Sequence, residues 1–238
     1  MKKLIVSLIV IVLVVVALVL IFTKDEQIEP IIKTPEPIAM CYKYSKQTSR
    51  GFVDRAWLQM NILGEKVTGE YQNLPAEKDS KVGTFAGTVG PMDPKISGRI
   101  ADVWWNSLAE GMQVTEQLKI EFGEGSAVVL FGEMVDRGDG TYVYKDATKL
   151  TPGFQMSQTD CESLQEMLAV EKYIRDNIET IVPKEPKMKD TWYYATVLNI
   201  NSLAKTGIML ITYENGQMQK EISFSYTKNG DVIKVTLK

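Results

Sequence analysis

Hydrophobic positions along this chain repeat with three different spacings, and each change of spacing marks a change of structure. Residues 4–22 are apolar except for Ser7. A helix rises about 1.5 Å per residue, so this run is just long enough to cross the roughly 30 Å hydrocarbon core of a bilayer. It is rich in Val and Ile. In lipid the backbone must satisfy its own hydrogen bonds, so a single span is helical whatever its propensity in water. Residues 24–38 are charged and contain Pro30, Pro35 and Pro37. They predict an extended linker rather than a continuing helix.

From residue 41 to about 146 the spacing is two. Residues 41–44 read as a first strand. Ala56, Leu58, Met60 and Ile62 share one face and alternate with Trp57, Gln59 and Asn61. Residues 63–66 form a turn, and Val67, Gly69 and Tyr71 return as a hairpin. Phe85, Gly87 and Val89 alternate up to Gly90-Pro91, and 99–105, 116–122 and 127–131 read as further strands. A last hairpin turns at Asp136-Arg137-Gly138-Asp139-Gly140 and leaves through Tyr142, Val143 and Tyr144. Short strands, compact turns and glycines within or beside strands (Gly69, Gly87, Gly132) predict a small antiparallel β-barrel or a strongly coiled sheet. If the first and last strands pair, Tyr42, Tyr44, Tyr142 and Tyr144 stack across the seam.

The spacing then becomes helical. Thr159 and Glu162 make a capping box, and Leu164, Met167, Leu168, Ile174, Ile178 and Ile181 predict a helix over 159–181. Residues 183–190 are a second proline-bearing linker. Residues 191–238 read as a β meander with turns at Asn215-Gly216 and Asn229-Gly230, and 219–226 and 232–237 as its outer strands. A unit this small without its own disulfide either closes as an SH3-like barrel or leans on its neighbour. The expected class is therefore mainly β. The order is a transmembrane segment (1–23), a linker (24–38), a barrel domain with a closing helix (39–182), a linker (183–190) and a small β domain (191–238).

Charge orients this arrangement. Lys2 and Lys3 precede the apolar run, and Lys24, Asp25, Glu26 and Glu29 follow it. Positive charge stays in the cytoplasm, so the bulk of the chain is expected outside it, on a single-pass cell-membrane anchor. A cleaved signal would be shorter and end in small residues. This run ends Val19-Leu20-Ile21-Phe22-Thr23, which predicts an uncleaved signal anchor. The whole chain has 27 basic and 30 acidic residues; without Lys2 and Lys3 the exported part has 25 against 30. That interspersed, mildly acidic surface argues against nucleic acid as a partner. The membrane, through residues 4–22, is the expected contact.

The candidate chemistry is sparse. Cys41 and Cys161 read as one disulfide in an exported domain, or as two buried thiols if the orientation is reversed. The disulfide would pin the helix to the first strand. There is no histidine. A structural zinc site is nearly excluded, and so is any Ser-His-Asp or Cys-His arrangement, because there is no imidazole base. No glycine-rich phosphate loop opens a helix, and no cofactor is implied. Glu110, Glu116, Glu121, Glu124, Glu133, Asp136 and Asp139 concentrate acid between 110 and 139. A pair of them could serve general acid–base chemistry, as in glycosidases, although each falls at a polar strand phase or a turn. Asp136 to Gly140 contains an Arg-Gly-Asp tripeptide and reads as a glycine-rich hairpin tip. Trp104 and Trp105 are adjacent and must point to opposite faces of a strand. Trp57 is out of phase with its strand's apolar face. These three are the candidates for a ligand or interaction surface.

Between Cys41 and Cys161 the segments CYKYSK, AWLQMNILGEKVTGEYQNLPAEKDSKVGTF, AEGM and FGEMVDRGDGTYVYKD carry a resemblance to uncharacterised membrane-anchored bacterial envelope proteins. Within 41–146, LGEKVTGEY and FAGTV are also similar to calycin-like barrels of the lipocalin or avidin kind. The C-terminal TWYYATVLNI and GIMLITYENG are similar to SH3-like or Tudor-like barrels. These likenesses imply folds and supply no catalytic residues. The expected function is that of a membrane-anchored extracytoplasmic binding or structural protein of the bacterial envelope, with an envelope protein or a small apolar ligand as partner. The alternative is a carboxylate-dependent hydrolase acting on an envelope substrate. An open barrel interior would point to a carrier, and a filled one to a scaffold or adhesin.

Overall fold

The computed structural model describes residues 36–76, 78–109, 111–182, 193–213, 219–230 and 232–238. The apolar run 4–22, nearly all of the first linker, Glu110, the second linker and the Asn215-Gly216 turn lie outside these residues. Among the described residues no helix is long and apolar enough to cross a membrane. Residues Glu36–Lys238 form one compact unit.

The period-two segments become β1 (Ile38–Gln47), β2 (Val53–Leu63), β3 (Lys66–Leu74), β4 (Lys81–Asp93), β5 (Gly98–Ala109), β6 (Met112–Gly123) and β7 (Ser126–Phe131). Two short strands, β8 (Met134–Asp136) and β9 (Thr141–Tyr144), precede a long one, β10 (Thr151–Thr159). Strands β1 to β7 and β10 pair in a closed antiparallel ring of eight, because β5 joins β6 and β10 joins β1. Closure gives each of these strands a partner on both sides. One phase of the alternation fills the interior. Tyr42, Leu58, Met60, Trp105, Ile120 and Val129 are completely buried there in one continuous core.

Strand β10, which the alternation does not predict, closes the ring. Pro152 and Gly153 hide it by looking like a turn. The ladder absorbs them with a register shift between Pro152 and Gln155. The same device carries β4 through Gly90-Pro91, where the sequence predicted an end; its register shifts between Val89 and Met92. The tyrosine seam changes accordingly. Tyr44 stacks on Phe154 of β10 with ring centres 4.5 Å apart. Tyr142 and Tyr144 lie instead on β9, which runs parallel to β6 outside the ring. Tyr144 wedges in where β7 leaves β6. Its hydroxyl accepts from Lys119 N at 3.1 Å and donates to Leu130 O at 2.6 Å, bridging a paired position of the two strands.

Gly69, Gly83 and Gly87 in the ring are all required by close approach to a neighbouring backbone. A Cβ on Gly69 would meet Gln59 O at 2.0 Å and Phe85 Cζ at 2.4 Å. Phe85 is its cross-strand partner, and the ring covers the bare backbone.

The helical segment is α1 (Cys161–Asp176), followed by a single turn, α2 (Ile178–Ile181). The cap is Asp160, not Thr159. Asp160 Oδ2 accepts from Ser163 N at 2.7 Å, while Thr159 is held in the ladder opposite Cys41. Cys41 and Cys161 are disulfide-bonded, with Cα atoms 5.1 Å apart and a sequence separation of 120. The N-terminal end of α1 is thereby fixed to β1, and Leu164 packs with Cys41 and Trp57.

The C-terminal meander is β11 (Tyr193–Asn201), β12 (Thr206–Tyr213), β13 (Gln219–Asn229) and β14 (Val232–Leu237), paired in that order. β13 is thus an inner strand and β11 is an outer one. Its buried face, with Val197, Met209, Ile211 and Phe224, packs on Val170 and Ile174 of α1. The helix is shared: Leu164 and Glu171 face the barrel, and Glu166, Val170 and Ile174 face the sheet.

Candidate functional site

Outside the barrel wall the polar phase of β1, β2, β3 and β10 faces α1 and β11. Tyr42, Ala56, Leu58, Tyr71 and Met156 point inward. Alternation therefore turns Lys43, Ser45, Arg55, Trp57, Gln72, Leu74 and Ser157 outward. These residues, with Met167, Leu168 and Glu171 of α1 and Val197 and Leu198 of β11, line a cavity of about 280 Å³. Small-ligand clefts begin at about this size. The apolar side is Trp57, Leu74, Met167, Leu168, Val197 and Leu198.

Three of its polar groups, Lys43, Arg55 and Trp57, can only donate, against one carboxylate, Glu171. Arg55 Nη1 donates to Glu171 Oε2 at 2.6 Å, tying the barrel wall to the helix. Glu171 is buried, so this carboxylate is committed to the guanidinium. Trp57 is 6% exposed, and its indole N–H has no acceptor among the described residues. A buried donor without an acceptor is costly and calls for a reason. Lys43 is exposed, and among the described residues its ammonium has no hydrogen-bond or ion-pair partner. The second buried glutamate of α1, Glu166, faces the sheet, where Lys205 Nζ donates to it at 2.5 Å. Burial alone would raise the Glu166 carboxyl. The hydrogen bonds from Lys205 and Ser202 outweigh it and hold that carboxyl below its ordinary value. The same bond raises the Lys205 ammonium.

The three tryptophans singled out by sequence occupy three different environments. Trp57 lines the cavity. Trp105 is inside the barrel, its ring 5.1 Å from that of Tyr71, whose phenol burial pushes upward. Trp104 is 40% exposed on the outer wall of β5. They do not form one site. The disulfide Cys41–Cys161 forms beside Trp57, as the exported reading expected. Sequence reasoning missed Lys43, Arg55 and Glu171. The available signal was the helix itself, since Glu166 and Glu171 interrupt the face that carries Met167 and Val170.

The described acids of 110–139 are dispersed. Glu116 pairs with Lys81 at 2.8 Å and Glu133 with Lys145 at 2.6 Å. Asp136 accepts from Gly138 N at 2.7 Å and Asp139 from Thr141 N at 3.0 Å, which shapes the exposed Arg-Gly-Asp turn. The bond from Thr141 also lowers the Asp139 carboxyl. Glu121 and Glu124 share a cavity of about 270 Å³ that Ser97, Ser126 and Gln155 also line. Among the described residues no group of His, Cys, Asp and Glu could hold a metal ion.

No protein-family model matches the chain, and no curated protein matches it. A crystal structure from Brucella abortus, of a beta-barrel-like protein of a domain of unknown function, is similar at 13% identity. The likeness covers 85% of this chain and 96% of that one, with a TM-score of 0.19. A score this low carries no argument about fold or function.

Proposed function

We propose that this chain is a non-enzymatic, membrane-anchored protein of the bacterial envelope that binds through the outer wall of its barrel. The observation that carries this reading is the filled interior: the inward side chains form one continuous core, while the lined cavity lies outside the wall. In this reading residues 4–22 are the anchor and the rest of the chain is extracytoplasmic. The Cys41–Cys161 disulfide supports it, because such bonds persist in oxidising compartments. Eight antiparallel strands closed in sequence, apart from the β8–β9 excursion, support a calycin-like barrel fold. The filled core favours a scaffold over an internal carrier. For the small β unit, we read a sheet that leans on α1 in preference to an independent SH3-like barrel, because α1 supplies part of its core.

The tryptophans make the reading testable. The full chain, labelled with 5-fluorotryptophan and held in lipid nanodiscs, is screened with envelope lipids, glycan fragments and small molecules by fluorine NMR. Trp→Phe variants assign the resonances. Hits are expected to move the Trp57 resonance and leave Trp105 in place. A ligand that moves Trp105 instead makes the protein an interior carrier. A broad screen without hits removes the binding function. The hydrolase alternative would have to use Glu121 and Glu124, and requires an activity that Glu121→Gln abolishes.

A further inference from the structure

Resting on that reading, we infer that the cavity between the barrel wall, α1 and β11 takes a compact organic anion with an apolar body. The inference comes from the balance of donors and acceptors. The one carboxylate in the lining, Glu171, is occupied by Arg55. What remains is three donor-only groups, the Trp57 N–H, the Lys43 ammonium and the guanidinium N–H groups of Arg55 other than the one given to Glu171, beside Tyr44, Ser45, Gln72 and Ser157, which can donate or accept. A guanidinium carries five N–H donors, so one bond to Glu171 leaves capacity for a second acceptor.

The lining holds two cations and one anion, Lys43 and Arg55 against Glu171. An anion balances the excess positive charge, whereas a cation adds to it. An anion completes the set. The Trp57 ring, Leu74, Met167, Leu168, Val197 and Leu198 supply an apolar wall that a bare inorganic anion would leave unused. A volume of about 280 Å³ suits a compact molecule rather than a long acyl chain or a polymer. The ligand therefore joins an acceptor group, such as a carboxylate, to a short apolar or aromatic body. Its oxygen would pair with Lys43 and Arg55, and would reach the Trp57 N–H, which is closed to solvent in this structure, only when the indole turns toward the ligand.

The test uses three probes of nearly equal shape: 4-phenylbutyrate, 4-phenylbutan-1-ol and 4-phenylbutylamine. Each is titrated into the full chain in nanodiscs, with empty nanodiscs as the blank, and read at the fluorinated Trp57. The acid is expected to bind at least about tenfold more tightly than the alcohol and the amine, as like-charge juxtaposition disfavours the latter. Lys43→Glu, on an exposed side chain, is expected to weaken the acid about tenfold and to reverse the preference toward the amine. Trp57→Phe keeps an aromatic face, smaller by the pyrrole ring, and removes the N–H. Read by calorimetry, it is expected to weaken the acid several-fold more than the alcohol. If the alcohol or amine moves Trp57 as readily as the acid, the anion assignment fails while the cavity remains a binding site. If all three leave Trp57 unmoved, both the assignment and the binding reading fail.

Discussion

The barrel and the C-terminal sheet solve the same problem, an apolar sheet face in water, in opposite ways. The barrel turns its apolar face inward and closes, so its core of β1 to β7 and β10 is self-contained. The four-stranded sheet stays open and covers its face with the later turns of α1. Closure gives independence, whereas an open sheet of this size must borrow a partner. The borrowing puts an interface where the site lies. Glu171 reaches from α1 to Arg55 on the barrel, and Glu166 reaches from α1 to Lys205 beside the sheet.

The sharpest way to break this contrast is Ile174→Ala. Ile174 is fully buried in the sheet's core, and such truncations cost about 2–5 kcal/mol. The expected outcome is loss of hydrogen-exchange protection in β11 to β14 with β1 to β7 still protected. Equal loss in both would mean that the barrel also depends on α1.

A smaller test compares two equivalent glycines. Gly207 pairs with Phe224 as Gly69 pairs with Phe85. A Cβ at Gly69 would lie 2.0 Å from a backbone oxygen, and one at Gly207 would lie 2.8 Å from one. A closed ring has less freedom to shift its strands than an open sheet. Gly69→Ala is therefore expected to cost more than Gly207→Ala. Both should fall in or above the range of about 1–3 kcal/mol for overpacking, as read by denaturant midpoints.

The smallest effect is acidic weakening of the helix–sheet contact. The Glu166 carboxyl lies below its ordinary value of 4.5 in the folded chain. Its contribution is thus fully present above that value and is lost as pH falls below it and through the folded value. Sheet protection should decline in this window in the native protein, and Glu166→Gln should lack that component. Lys205 adds the mirror case: its raised ammonium contributes below 10.5 and is lost as pH rises beyond it.

Much of this was legible along the chain. Ala56, Leu58, Met60 and Ile62 announced the inward phase of β2, and Trp104-Trp105 announced one buried and one exposed ring. What failed locally was β10, because Pro152 and Gly153 are tolerated only through a ladder irregularity that a distant partner must accept. The cap moved by one residue because Thr159 was claimed by the ladder opposite Cys41.

Alternation by itself determined that this is a β protein with a helix after the barrel strands, since the period of apolar positions is a local property. It also fixed that Cys41 and Cys161, with no other cysteine present, could pair only with each other within the chain. Only the tertiary structure decided that the ring closes through β10, that its interior is full, and that Lys43, Arg55, Trp57 and Glu171 meet around one cavity. These facts depend on residues more than a hundred positions apart being packed together, and no local pattern encodes that distance.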